Sequence, residues 1–569
     1  MMCQYIRNIV FLLLFLFPQW SLSVNDSISF ESLIVKRAIN INHSDLFSKI
    51  LIQDNEGRIK PFHTVASEIL RKVSRKQQFY DQEPSQIVLG MTLDPLFWYM
   101  VPLIKVSDIS TIIGTDDSHV SFLSFFDSSN TYLLSKYVES AYEKKPIDRS
   151  KFDKTIIDID ERVNICSMVF SDQLIKLFPS KVSTQDPWTI DVEMNIPNID
   201  SLKTQSFKSI YRELVLYSIE TQQWDDTNSL LSFISNHQYT YAQSILPSVR
   251  KIKLEILYNK LNPFGWSRLF SMYLLCGFSL LVLLFIDIFR SSKVIYNLIN
   301  LVKISTLIAF VFHVLALVVR WYISGHAPWS NAYESVIFIT FATMLAGFLF
   351  VKKSNFALAA SCFVASMLLF VANLNWLNPE VTNLVPVLKS YWLMIHVSVI
   401  TSSYGFFGLC AFIGFFNLIL VILSSDDKIK NNVNTLSVIN EQSMMLGLFL
   451  LTIGTFLGGV WANESWGRYW GWDPKETWAL VSCLTYSLIL HLRLLKIKRY
   501  LFVFNVCALF GFSSILMTYF GVNFYLDGLH SYAAGDAFPI PSFILPSFIV
   551  FVMISVLSFF RFNKWIDNE

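Results

Sequence analysis

From residue 266 onward the chain is dominated by apolar stretches. Each is close to the roughly 20 residues a helix needs to cross a hydrocarbon core about 30 Å thick. They lie near 269–289, 303–323, 333–351, 356–374, 395–422, 443–461, 478–495, 499–520 and 541–560, which predicts about nine transmembrane helices. Backbone in lipid has no water to bond, and a helix satisfies its own amides, so the expected fold is an all-α polytopic membrane protein. Composition agrees: 53% hydrophobic residues, 15% aromatic residues and a mean hydropathy of +0.45 are too apolar for one soluble globule. The formal net charge is only +2, and no basic run interleaved with aromatics offers a nucleic-acid groove, so nucleic acid is not an expected partner.

Basic residues orient the spans. Arg290, Lys293 and Lys303, then Lys352 and Lys353, then Lys428 and Lys430, then Arg493, Lys496, Lys498 and Arg499 fall between spans on one side by parity, which the positive-inside rule makes cytoplasmic. The tail with Arg561 and Lys564 falls there too. At the other terminus, Arg7 precedes a short apolar core at 9–17, so residues 1–24 read as a signal peptide or N-terminal anchor. Residues 25–265 have soluble composition, with helical spacing at 64–73 and 209–219 and breaks at Asp94-Pro95, Lys145-Pro146 and Asp186-Pro187. They predict a mostly helical extracytoplasmic domain ahead of a membrane domain at 266–569. Both signals give one topology in the inner (cytoplasmic) membrane, with the N-terminal domain on the periplasmic side.

Parity also places the loops at 324–332, 375–394, 462–477 and 521–540 on the outer face. One of them, within 461–478, packs five aromatic rings into the thirteen residues of 466–478. An interfacial belt needs only one or two such rings per helix end. Rings spaced by Gly467 and Gly471 suit a flat, conjugated, apolar ligand approached closely by backbone, and a porphyrin is the obvious candidate. His396, at the outer mouth of one span, and His530, in the last outer loop, share that face. Two neutral imidazoles would give haem iron six-coordinate ligation, whereas the plain alternative is interfacial histidines bonded to water or backbone. Inside the membrane lie His313 and His491. Ionisable groups there are costly and often functional, and the competing reading is a neutral histidine bonded between helices.

The run Trp466-Gly467-Arg468-Tyr469-Trp470-Gly471-Trp472-Asp473-Pro474, with His396 in Tyr391-Trp392-Leu393-Met394-Ile395-His396-Val397 and His530 in Gly528-Leu529-His530-Ser531-Tyr532-Ala533, resembles the CcsA (ResC) family of system II cytochrome c synthase components. Arg320-Trp321-Tyr322-Ile323-Ser324-Gly325-His326-Ala327-Pro328 and Asn331-Ala332-Tyr333-Glu334-Ser335 are similar to that family as well, and the resemblance covers about 266–560. It implies a haem lyase component that binds non-covalent haem b in transit and conveys it outward. There the haem vinyl groups meet the thiols of an apocytochrome c Cys-x-x-Cys-His motif. On that resemblance His396 and His530 are the outer iron ligands, and His491 is the membrane-site ligand. Trp466, Trp470, Trp472 and Asp473 form the reactive surface, and Trp461, Trp478 and Arg468 contribute further haem contacts. A ResB (CcsB) type partner normally supplies the other membrane histidine. A separate chain would do so here, or His313 would substitute. Thiol and haem reductants must come from elsewhere.

Other residues admit two readings each. Arg468 and Lys475 suit haem propionates or ordinary interfacial charge, and Asp473 and Glu476 suit either a proton role or the cap of the next helix. His326 and Glu334 share an outer loop facing the same side. Of the seven cysteines, five fall in predicted spans, Cys3 in the leader and only Cys166 in the exported domain. With no Cys-x-x-Cys, the chain is expected to be neither a c-type cytochrome nor a thiol oxidoreductase. The competing functions are a haem transporter without ligation activity, an assembly scaffold, and a CcmF-type lyase. A transporter is expected to place its site near the midplane, and a scaffold has no need of paired histidines.

Overall fold

The computed structural model describes residues 30–567 except 146–147, 195–204, 375–376, 385–388, 425, 496, 498, 527 and 529–542. The predicted leader at 1–24 and His530 therefore lie outside the described residues. What is described is predominantly helical and has two large hydrophobic cores, one drawn from residues between Ile34 and Ile234 and one from residues between Phe264 and Trp565, beside a small cluster of Leu51, Trp188 and Ala242.

The first core belongs to an N-terminal layer. Its principal helices are α1 (Phe62–Ser74), α2 (Pro84–Leu93), α3 (Lys151–Phe170), α4 (Phe207–Thr221), α5 (Asp225–Ala242) and α6 (Val249–Leu261). Local chemistry sets their starts: Ser150 and Asp153 form a reciprocal capping box at α3, and Ser206 and Ser248 cap α4 and α6. α1 buries Phe62, Ala66, Ile69, Leu70 and Val73, the three-and-four spacing of one helix face. A short antiparallel pair, β1 (Leu51–Gln53) with β2 (Ile59–Pro61), leads into α1. Cys166 is buried, and burial pushes its thiol well above the ordinary range, so it is a packing residue.

α6 ends at Asn262, whose φ of +40° is one that asparagine tolerates, and the chain then enters the bundle. The membrane helices are α7 (Ser271–Phe289), α8 (Lys293–Ser324), α9 (Ala332–Phe350), α10 (Asn355–Ala372), α11 (Tyr391–Leu423), α12 (Asp427–Trp466), α13 (Pro474–His491), α14 (Tyr500–Leu516) and α15 (Ile544–Asp567). Among the described residues, nine helices are long and apolar enough to cross a membrane, so the protein is a multi-pass membrane protein. Their most apolar windows are 78%, 67% and 72% buried in α9, α10 and α11 but only 6% in α15, so the first three form the inner layer.

Two sequence boundaries are corrected. α8 begins at Lys293 and α12 at Asp427, which puts Lys303, Lys428 and Lys430 on helices rather than in loops. The polar extension of α12 is helical because Ile429, Val433, Leu436, Asn440 and Ser443 recur at helical spacing and are buried.

α11 and α12 run antiparallel with small residues along the seam. A methyl group placed at Gly447 would stand 2.9 Å from Phe407, one at Gly454 2.9 Å from Ile400, and one at Gly458 2.6 Å from His396. In lipid, where no hydrophobic effect separates helices from solvent, such close backbone approach is a main source of association.

Candidate functional site

The aromatic loop is built by two helix ends. α12 stops at Trp466 because Gly467, at φ +70°, takes the left-handed cap position and returns its N–H to the Asn463 carbonyl. α13 starts with Asp473 as cap and Pro474 as first helical residue. Asp473 Oδ1 accepts from the Lys475 N–H at 3.0 Å, while one Glu476 carboxylate oxygen accepts from Gly471 N–H at 2.8 Å and Asp473 N–H at 3.3 Å. The loop is thus tied at both ends before any ligand arrives. Between them Trp472 holds φ +57°, a strained setting for a bulky residue, and shows 70% of its surface. Its ring stands edge-on to Trp470 at 5.8 Å, and Trp461 is fully buried against Trp466 at 4.8 Å.

Asp473 therefore acts structurally as a helix cap. Asn caps as well as Asp does, so Asp473→Asn should keep the fold and haem loading, whereas Asp473→Ala should cost about 1 kcal/mol. Thermal unfolding together with haem content checks this. Loss of activity in Asp473→Asn at unchanged stability would assign the carboxylate a proton role beside its cap.

Beneath the loop lies a cavity of about 650 Å³, within the range of roughly 300–1,000 Å³ that suits organic cofactors. His396, Trp461, Tyr469 and Trp470 form one side, and Trp329, Tyr333, Tyr404 and Tyr519 continue it. Leu377, Asn378, Glu380 and Thr382 also line it, and Lys475 and Glu476 supply charge. The His396 Nδ1 lies 2.6 Å from the Gly454 carbonyl. Donation there fixes the tautomer with the lone pair on Nε2, the arrangement of a metal-binding imidazole oriented by a backbone partner. Gly458 makes room for the ring.

The remaining predicted residues fall elsewhere. Gly528, two positions before His530, approaches Asp473: a methyl group at Gly528 would stand 2.5 Å from its Oδ2. The exposed Arg468 guanidinium packs on Gly471, and the Trp478 carbonyl accepts from Thr518 Oγ1 at 3.1 Å. His491 is the exposed last residue of α13, its Nδ1 2.7 Å from the Ser487 carbonyl, remote from the loop end of that helix. His313 is fully buried, with Nδ1 3.0 Å from the Tyr273 hydroxyl and Nε2 3.2 Å from the Ile337 carbonyl. Both ring nitrogens are engaged between helices in this structure, the arrangement of a neutral histidine bonded between helices.

Sequence reasoning missed Trp329, whose indole donates to the Met394 carbonyl at 3.1 Å, and the segment 377–384. It also missed Gly454 and Gly458, although Gly454-x-x-x-Gly458 is the spacing that flags close helix contact. The buried pair Arg320–Glu334, 2.8 Å apart, organises the loop end of the bundle. The Arg320 fork also donates to the Pro379 and Glu380 carbonyls at 3.0 and 3.1 Å, and Glu334 accepts from the Ser330 N–H and hydroxyl at 2.9 and 2.7 Å.

The bundle is that of a multi-pass membrane protein with an aromatic-walled, imidazole-bearing cavity at one end, and residues 329–530 match the family described as Cytochrome C assembly protein. The Cytochrome c biogenesis protein CcsA of Prochlorococcus marinus subsp. pastoris is 37% identical over 263 residues, 41% of this chain and 82% of that protein. The chain belongs to the CcsA family of cytochrome c biogenesis proteins. Protein NrfI of Wolinella succinogenes is 44% identical over 505 residues, 87% of this chain but 55% of its own length, so the chain spans just over half of that relative. The solved cytochrome c heme lyase CcmF aligns with 52% of this chain and 50% of its own at 14% identity and a TM-score of 0.35.

Proposed function

We propose that this protein holds haem b non-covalently in the 650 Å³ cavity and presents it to apocytochrome c, as the lyase component of a system II synthase. The observation that carries the reading is His396: one imidazole in the wall of an aromatic cavity, its Nδ1 2.6 Å from the Gly454 backbone carbonyl. Aromatic walls take the porphyrin faces. Lys475 and Arg468 are the cations nearest the loop for propionates, and His530 is the proposed second iron ligand. Attachment itself needs no oxidant or reductant. A cysteine S–H adds across a haem vinyl group, the sulfur bonding one carbon and the hydrogen going to the other.

His491 is the proposed ligand of a second, membrane-level haem site, completed by a ResB/CcsB-like partner because its ring lies on the outside of this bundle. Residues 1–24 are proposed as a leader or anchor and 25–265 as an extracytoplasmic domain. In this reading the loop faces the periplasm from the inner membrane, and haem reaches it by conveyance across the bundle. Thiol and haem reductants come from other proteins.

The test is an absorption spectrum of the detergent-purified chain, oxidised and reduced, with a pyridine haemochrome assay for haem type. A six-coordinate b-type spectrum is expected. An absence of haem after haem-replete expression, alone and with a ResB-like chain, overturns the reading.

A further inference from the structure

Part of the wall of the aromatic cavity is neither helix nor strand. Between α10 and α11, residues 377–384 form an irregular strap that gives the cavity Leu377, Asn378, Glu380, Thr382, Asn383 and Leu384. Among the described residues, no backbone amide from 378 to 384 donates to a backbone carbonyl, and the Glu380 N–H reaches Asn378 Oδ1 at 3.1 Å. A segment without a backbone ladder keeps its place through the side chains that other elements extend to it.

Those side chains come from two bodies and differ in grip. From the bundle, Arg320 donates to the Pro379 and Glu380 carbonyls, and His326 Nε2 lies 3.1 Å from the Thr382 carbonyl. Arg320 is 1% exposed and paired with Glu334, so this hold is part of the core. From the N-terminal layer, in the last turn of α1, Arg71 meets the Glu380 carboxylate at 2.8 Å and Lys72 meets it at 3.6 Å. Asn383 adds a bond to the Glu56 carbonyl at 3.2 Å. Arg71 and Lys72 are 30% and 39% exposed, and ion pairs that solvent reaches are weak enough to open. The strap is rooted in the bundle and clasped by the layer.

Resting on the reading of this cavity as the haem site, we infer that Arg71 and Lys72 are positioning residues for haem: through Glu380 they hold the strap in the wall, so the N-terminal layer sets how fast haem leaves. Neither residue lines the cavity, so both act on its contents only through the strap. Glu380 suits the part because it faces both ways, lining the haem cavity while its carboxylate takes the two cations of the layer. Two cations on one carboxylate also mean that losing one leaves the clasp partly closed, and losing both opens it.

The experiment loads the full chain with haem in detergent, adds excess apomyoglobin as a haem scavenger, and follows release by absorbance. Arg71→Gln combined with Lys72→Gln should release haem about two- to fivefold faster than wild type, at an unchanged bound spectrum and thermal midpoint. Arg71→Lys, which keeps the charge, should release at the wild-type rate. Glu380→Gln separates the clasp from simple charge: faster release supports the clasp, while slower release means that the carboxylate only repels the propionates and overturns it. Wild-type release from the double variant, or faster release only with a lowered midpoint, overturns it too and leaves the haem reading standing. Hydrogen exchange over 377–384 is read on the same chains without haem. If the wild type takes up no haem, the haem reading fails; faster exchange in the double variant then keeps the clasp, and unchanged exchange removes it as well.

Discussion

In the His396→Ala variant the purified chain should stay folded in the membrane fraction yet lose at least nine-tenths of its haem, roughly the factor of ten that 1.4 kcal/mol represents. The ring contributes one side of the cavity wall and is held by Gly454 and Gly458 rather than holding them, so its loss leaves the α11–α12 seam intact along Ile400–Gly454 and Phe407–Gly447. The space left behind has the shape of an imidazole, so free imidazole added to the growth or binding buffer should restore a low-spin spectrum. Haem content unchanged in His396→Ala, or lost without rescue together with the fold, would remove His396 from the iron.

Arg320→Met should be the most destabilising single change at the loop end of the bundle, at about 3–5 kcal/mol. Arg320 and Glu334 are 1% and 0% exposed, and removing one partner strands the other as an uncompensated buried charge. The same substitution frees the Pro379 and Glu380 carbonyls, so the wall at 377–384 should loosen as well. Pairing it with Glu334→Gln takes away the stranded charge and should recover part of the loss. The measurement is thermal unfolding of the three variants by intrinsic tryptophan fluorescence, with hydrogen exchange over 377–384. Equal stability of Arg320→Met and wild type would show that the pair does not anchor the wall.

The sequence was most readable where one physical requirement dominates. A bilayer demands length and apolarity and little else, so the spans were legible even though helix ends were not. α12 runs on to Asp427 because a polar segment still packs one face, and a search for apolar runs overlooks that face. The aromatic loop and His396 were legible because unusual residue types were concentrated there. Whether Asp473 caps a helix or moves a proton was not, since both uses want an acid at that place; the bonds to Lys475 and Glu476 define the cap. His313 shows the same limit: a buried imidazole looks alike in sequence whether it awaits a metal or bonds to Tyr273 and Ile337. The N-terminal layer was legible only as short helices. Its role at the cavity rests on Arg71 meeting Glu380, a contact across 309 residues that no local pattern encodes.

At about 1.5 Å per residue, the 40 residues of α12 make a rod of roughly 60 Å, about twice the thickness of a hydrocarbon core. One end carries Gly458 and Trp461 beside His396, and the other carries Ser437, bonded to Asn417 and Asn505 of neighbouring helices. A stiff lever has few ways to move. A tilt of the whole rod that widened the aromatic cavity would shift the far end against those asparagines, which ties the geometry of one end to that of the other.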